Sequence, residues 1–209
     1  MTIPDGYLDL APGKIASVVT YLEMREPPAS STIPAPPGLS IRKVPTPDLD
    51  WYRQLYRAVG EDWLWFRRLR LRDEDLKRAI HDPKVDVFAL SVTEDVGSSD
   101  KGLLELDRSV RGENAENEVE IAYFGLTSDL IGRGAGKYMM AHALHEAWAS
   151  SPQRVWVHTC TLDHPKALSF YLKAGFVPYG RAIEIADDPR LTGDAPRNAA
   201  KHVPIIEPL

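Results

Sequence analysis

The chain has 209 residues, 44% hydrophobic and 26% charged, with a formal net charge of −5. That length suits one domain with a full core, and the composition is that of a globular protein, not a disordered or fibrous one. The acidic balance argues against a nucleic-acid partner, and the single cysteine, Cys160, excludes an internal disulfide framework or a cysteine-rich zinc site.

Met1 to Lys14 holds no basic segment followed by an apolar one, and no apolar run in the chain is long enough to span a bilayer. The expectation is a cytoplasmic protein with no membrane association. Ile15 to Met24 is β-branched and aromatic enough for a strand. Five prolines between Pro27 and Pro37 then forbid regular structure. Residues 1–38 are therefore read as an N-terminal strand appendage with a proline-rich connector. Its strand is read as exposed, able to complete a neighbour's sheet in a homodimer.

The main domain is read over residues 39–186. It opens with a strand, LSIRKV, followed by a helix in PDLDWYRQLYRAV with Asp48 or Asp50 as N-cap and Trp51, Leu55 and Val59 at helical spacing. Two more helical stretches are expected, EDWLWFRRLRL and DEDLKRAI, and then three strands, VDVFALSV, GLLELDR and EVEIAYFGL. A glycine-rich turn opens a helix carrying Met140, Leu144, Ala147 and Trp148 as an apolar stripe. A strand RVWVHTC, a helix HPKALSFYLKA and a last strand RAIEIA complete the domain, and residues 187–209 are read as a polar C-terminal tail. An antiparallel meander followed by a βαβ crossover predicts an α/β (α+β) fold with a mixed, mostly antiparallel sheet flanked by helices.

The turn IGRGAGKYMM carries the chemistry. Exposed backbone amides and the positive end of a helix dipole at Arg133-Gly134-Ala135-Gly136 suit an anion, with Arg133 and Lys137 adding charge. A P-loop is refused by Ile131 and Tyr138, and a dinucleotide fingerprint by Lys137. Elsewhere the signals are weaker. His142, His145 and Glu146 lack an HExxH pattern and read as a solvated helix face, so no metal is expected. Cys160 reads as a small core residue. Trp63 to Arg72 reads as core or as a cleft wall, its basic patch being too short for nucleic acid.

RGAGKYMM after VEIAYFGL, followed by DHPKALSFYLKAGF, resembles the GCN5-related N-acetyltransferase (GNAT) family, most strongly from Val119 to Phe176. The resemblance implies a fold in which a splayed strand pair receives the pantetheine arm of acetyl-CoA and the glycine turn holds the pyrophosphate. Leu126, Thr127, Arg133, Gly134, Ala135, Gly136, Lys137, His164, Ala167 and Tyr171 are then the cosubstrate-binding candidates. Ile131 stands where the family usually has Gln or Arg, and His164 where Asn is common. Tyr171 is implied as the acid that protonates the departing thiolate. Glu120 occupies the strand position of the catalytic glutamate in histone-modifying relatives, Glu105 on the neighbouring strand is its rival, and ordered water is a third choice. Gly125 is expected to form a β-bulge that turns an amide towards the oxyanion. The implied acceptor is a small-molecule amine or a peptide amine. A non-catalytic acyl-CoA-binding module on the same fold is the alternative.

Overall fold

The structure is a computed structural model that describes residues 5–29, 33–93, 97–109 and 117–208. The middle of the proline-rich connector and parts of the two turns between the meander strands lie outside them. One sheet of seven strands organises the chain: β1 Lys14–Met24, β2 Leu39–Lys43, β3 Val85–Thr93, β4 Ser98–Asp107, β5 Glu118–Leu126, β6 Arg154–Cys160 and β7 Val177–Asp187. The spatial order is β2-β3-β4-β5-β6-β1-β7, and every neighbouring pair is antiparallel except β5–β6. The expected mixed, mostly antiparallel sheet is what forms.

Helices cover both faces. On one face lie α1 Leu49–Gly60, capped by Asp48 whose side chain accepts from Trp51 N at 2.9 Å, and α2 Asp73–Ile80. They bury Tyr52, Leu55, Tyr56, Val59, Leu76 and Ile80 against Val87, Ala89 and Leu103 of the meander. The opposite face holds α3 Ala135–Trp148 and α4 Ala167–Lys173, packed on Phe88, Leu104, Leu106, Val119, Ile121, Val155 and Val157. Odd and even strand positions thus feed two separate cores, as the alternation of a pleated strand requires.

Four expectations need correction. The N-terminal strand is no appendage: β1 is hydrogen-bonded to β6 over Val19–Met24 and to β7 over Lys14–Glu23, so it lies inside the sheet and not at its edge. Apolar alternation specifies a strand but not its position in the sheet, which is set by long-range pairing. The stretch Glu61–Leu71 is not a helix. A 3₁₀ turn over Glu61–Trp63 ends at Leu64, which is left-handed at φ 55°, and the chain then folds back. Gly60 enables that return, since a Cβ there would lie 2.5 Å from the Trp65 side chain. His142 is not on a solvated face: its ring packs edge-on against Phe88 at 5.0 Å, and burial lowers its pKa.

The C-terminal tail is also not free. Its short helix α5 (Pro189–Thr192) carries Arg190, whose side chain is 1% exposed. Arg190 donates to Asp188 through Nε at 2.9 Å and Nη2 at 2.6 Å, and through Nη1 to the Val203 carbonyl at 2.8 Å. Asp188 N donates to Gly13 O, so this pair fastens the tail to the start of β1. Ala195, Ala199 and Ala200 then close a small core with Ile15, Leu64 and Leu162. Burial alone would push the Asp188 carboxyl up, but the Arg190 hydrogen bonds outweigh it and hold the pKa below the ordinary value. A depressed carboxylate stabilises the fold fully above about pH 4 and loses that contribution as the pH falls through its folded value. Asp188→Ala should leave Arg190 buried without its counter-charge and cost about 3–5 kcal/mol, read as a lowered urea midpoint at neutral pH. A midpoint equal to wild type would mean that the pair does not hold the tail.

Candidate active site

The site begins where the parallel pairing ends. β5 and β6 pair only from Glu118–Arg154 to Ile121–Val157. Beyond that, β5 continues along β4 while β6 continues along β1, and the two strands diverge. A β-bulge causes the turn-away: Leu106 faces Ile121 and Glu105 faces Tyr123, leaving Ala122 as the extra residue. The bulge was expected at Gly125, which instead pairs in register with Leu103. Gly125 serves packing, because a Cβ there would meet Trp65 Cη2 at 2.9 Å and Val59 Cγ2 at 3.0 Å.

The extra residue also changes which side chains share a face. Val119 and Ile121 point into the α3 core, Glu120 and Tyr123 both point to the α1 side, and Phe124 and Leu126 return to the α3 side. A cleft of about 1300 Å³ runs through the fork and is lined from both faces. On the α1 side its walls are Tyr123, Trp65 and Glu120, with Tyr21, Trp156 and His158 across the fork. On the α3 side they are Leu126, Gly134, Gly136, Lys137, His164, Ala167, Phe170 and Tyr171.

Gly134 is the N-cap of α3 at φ 84° and makes no side-chain cap bond. The first amide of this end to reach a backbone carbonyl is Tyr138 N, which donates to Gly134 O at 3.1 Å. The amides of Ala135, Gly136 and Lys137 therefore point out of the helix end. Gly132 is left-handed as well, at φ 86°, and a Cβ built on either glycine meets nothing within 4 Å. The turn is thus an open cradle of amides at the positive end of a 14-residue helix.

Seven of the ten cosubstrate candidates line this cleft, and three do not. Ala135 is fully buried in the α3 core, so that only its amide can serve. Thr127 turns to β4, with its N and Oγ1 both on Lys101 O at 2.9 and 3.3 Å, and the exposed Arg133 is not part of the wall. His164 is partly committed: its Nδ1 accepts from Lys166 N at 3.1 Å, and its ring stands edge-on to Trp63 at 4.9 Å.

Among the catalytic candidates, Tyr171 is 7% exposed and packs edge-on against Phe124 and Phe176 at 6.3 and 6.1 Å. Burial, and then the Asp163 carboxylate, raise its pKa well above the ordinary phenol value. Glu120 sits at the crotch of the fork, 5% exposed, with Oε1 3.4 Å from Nδ1 of the half-exposed His158. Glu105 does not reach the cleft and is corrected here to a structural role. It is fully buried, accepts from Tyr52 Oη at 2.6 Å, and is paired with Arg68. Burial pushes its carboxyl up against the pull of these two partners. Arg68, held by Glu105, stands over the Tyr123 ring at 5.1 Å and so anchors the 61–71 loop to the sheet.

Asp163 is a second anchor, absent from the sequence reading. It accepts from Trp65 Nε1 at 3.2 Å, Thr159 Oγ1 at 2.7 Å and Cys160 N at 2.8 Å, tying the loop to the far arm of the fork. Trp156, His158 and Tyr21 were also missed, although Trp156 and His158 alternate with the apolar Val155 and Val157, a pattern that places both on one face. Cys160 is partly buried and packs against the small core of Ile15, Leu64 and Leu162 as expected, while also lining the cleft, and burial raises its thiol pKa. Among the described residues, no group of three or more His, Cys, Asp or Glu is arranged to hold a metal ion, and no helix is long and apolar enough to cross a membrane.

Residues 96–176 match the model of the acetyltransferase (GNAT) family. The GNAT fold also appears in solved structures. A GCN5-related N-acetyltransferase from Sphaerobacter thermophilus superposes with a TM-score of 0.57 at 17% identity, over 85% of this chain and 52% of that one. An aminoglycoside acetyltransferase from an uncultured soil metagenomic sample gives 0.53 at 19% identity, over 66% of this chain and 88% of the other. The tandem GNAT protein of the clavulanic acid biosynthesis pathway gives 0.55 at 14% identity, over 83% and 53%. This chain spans about half the length of the first and third of these. At such identities the common property is the fold. No curated protein sequence matches the chain.

The cradle can be tested directly. Gly134→Val would place a β-branched side chain at φ 84°, strained by about 1–2 kcal/mol, with its Cβ projecting into the open space of the cradle. Acetyl-CoA should raise the melting temperature of wild type by mass action and leave that of a folded Gly134→Val variant unmoved. An equal shift in both would remove the glycine turn from the binding site.

Proposed function

We propose that the chain transfers an acetyl group from acetyl-CoA to a primary amine by direct attack of the amine on the thioester. One observation carries the reading. The amide cradle, the buried Tyr171 and the carboxylate of Glu120 open into a single cleft that passes through the β5–β6 fork. The cradle fits a pyrophosphate: it presents outward amides at a helix N-terminus, with Lys137 on its rim. Beyond Ile121 the edge of β5 that faces the fork has no partner strand among the described residues, so its outward amides suit the pantetheine arm and the thioester carbonyl. When bound, acetyl-CoA supplies an activated acyl group with a thiolate leaving group.

The two titratable groups divide the proton work because the cleft reaches them from opposite faces of the sheet. Glu120, on the acceptor side, takes the proton of the incoming ammonium, and His158 links it to solvent. Tyr171, on the α3 side, donates its hydroxyl hydrogen to the sulfur as the carbon–sulfur bond breaks, and the second proton shed by the acylated nitrogen restores the phenol through solvent. Its raised pKa keeps it fully protonated at neutral pH.

Glu120→Gln keeps the shape but accepts no proton. The rate should fall most near neutral pH and recover as the pH approaches that of the free amine, and an unchanged pH–rate profile would transfer the role to water. Tyr171→Phe keeps the packing on Phe124 and Phe176. It should lower kcat by at least about tenfold with little change in the acetyl-CoA Kd, as expected for a contact made mainly in the transition state. Normal kcat in a folded variant would remove Tyr171 from the mechanism. Binding of acetyl-CoA with no thiol release from any amine would leave an acyl-CoA-binding module instead.

A further inference from the structure

The two outermost strands end the sheet differently. β2 is five residues long and carries Arg42 and Lys43, each half-exposed and ion-paired, to Asp100 and Asp86. Short and charged, it is a blunted edge. β7 is eleven residues long, and beyond the bulge at Tyr179 it runs in unbroken register with β1 from Gly180 to Asp187. Ala182, Glu184 and Ala186 share the cleft face with their β1 partners Val19, Ser17 and Ile15. Ile183 and Ile185 lie on the other face, each 48% exposed, and Val18 opposite Ile183 is 43% exposed.

The backbone of this edge is available too. Val18 is bonded on its β6 side, its N to Thr161 Oγ1 and its O to Thr161 N, both at 3.1 Å, and Asp188 N donates to Gly13 O at 2.9 Å. Alternation along an antiparallel ladder then turns the amides and carbonyls of Arg181, Ile183 and Ile185 away from β1. The carbonyl of Asp187, next in that series, accepts from Arg70 Nη2 at 3.2 Å. Among the described residues no strand covers the other three.

The sequence of this edge is complementary to itself. A two-fold axis normal to the sheet at Ile183 sets Ile183 against Ile183 of a second copy and Arg181 against Ile185, so the outward groups of all three residues are used. An axis at Glu184 would oppose two like carboxylates and need the Asp187 carbonyl that Arg70 holds. Charge agrees with the first register. Arg181 is exposed and has no ion-pair partner among the described residues, and Asp187 of the second copy lies diagonally across from it, within reach of a long side chain. Lys14 engages Oδ1 of Asp187 at 2.6 Å, and a carboxylate accepts from more than one cation. On the cleft face Glu184, ion-paired to Arg67 at 2.5 Å, falls opposite Ala182.

We infer that a second copy of this chain pairs antiparallel with β7 about a two-fold axis at Ile183, giving a dimer with one continuous sheet and both clefts on the same face. The dimer edge expected at β1 thus moves to its neighbour. The inference is independent of acetyl transfer, because it uses neither the amide cradle nor Glu120 nor Tyr171.

Sedimentation equilibrium of the full chain is expected to give twice the chain's mass at micromolar concentration. Ile183→Lys sets two ammonium groups against each other on the axis. It should weaken dimerisation at least about tenfold and leave the far-ultraviolet circular dichroism unchanged, since this side chain is half-exposed. Ile183→Cys reads the register. Directly opposed Cα atoms of a hydrogen-bonded pair lie about 5.5 Å apart, inside the disulfide range, so oxidation should yield a covalent dimer. Ile185→Cys should not crosslink, because its counterpart lies several residues away across the axis. Wild type, whose one cysteine is Cys160, is the control for that reaction. A wild-type monomer throughout the accessible concentration range overturns the inference. So does a dimer indifferent to Ile183→Lys, or one that crosslinks through Ile185→Cys and not through Ile183→Cys.

Discussion

The site depends on the early end of the one parallel pairing in the sheet. β5 and β6 share only the stretch from Glu118–Arg154 to Ile121–Val157, after which the bulge at Ala122 bends β5 away. Had the ladder continued, both strand edges would have been consumed by each other and the two faces of the sheet sealed apart. Because it stops, a cleft passes through the sheet. It brings residues of the α3 core, Tyr171 and Phe170, together with residues of the α1 side, Glu120 and Tyr123. The same extra residue sets Glu120 and Tyr123 on one face, which unbroken alternation forbids.

An open fork needs its arms held, and buried polar groups do that. Glu105 is fully buried and satisfied by Tyr52 and Arg68, so the arginine that stands over Tyr123 has a fixed position. Asp163 performs the corresponding task at the other arm by binding Trp65. Removing one partner from either group would leave the other desolvated and unpaired, which costs far more than such a bond contributes on its own. The 61–71 segment therefore keeps an irregular path in spite of its helical composition. The tail is held by the same kind of device, the Asp188–Arg190 pair, and it backs the far end of the cleft through Ile15, Leu64 and Leu162.

The residues of the site differ in how they could be read. Gly134 and its neighbours were legible because a local motif, a strand followed by a glycine turn and a helix, carries its own physics of amides and dipole. Tyr171 came through resemblance to a family, and its place between Phe124 and Phe176 accounts for both its burial and its access to the cleft. Glu105 and Glu120 were not separable. Both are acidic positions among apolar strand neighbours, and only the pairing register shows that one meets Arg68 and the other the fork. Trp156, His158 and Tyr21 escaped notice because their strands are far apart in the chain and meet only through the β1–β6 pairing.

By itself, the sequence determined the elements with strong local signals: the strands by their alternation, α1 by its Asp48 cap and apolar spacing, α3 by its glycine start, and the mixed class of the sheet by their order. The tertiary structure alone decided that β1 lies between β6 and β7, that Glu61–Leu71 folds back in place of continuing as a helix, that the tail docks, and that the bulge falls at Ala122. The division has one physical cause. Propensity, capping and periodicity act over a few neighbouring residues and are written locally, whereas strand order, register and close contacts such as Gly60 and Gly125 with Trp65 depend on partners distant in the chain, whose burial and hydrogen bonding exist only once the chain has folded.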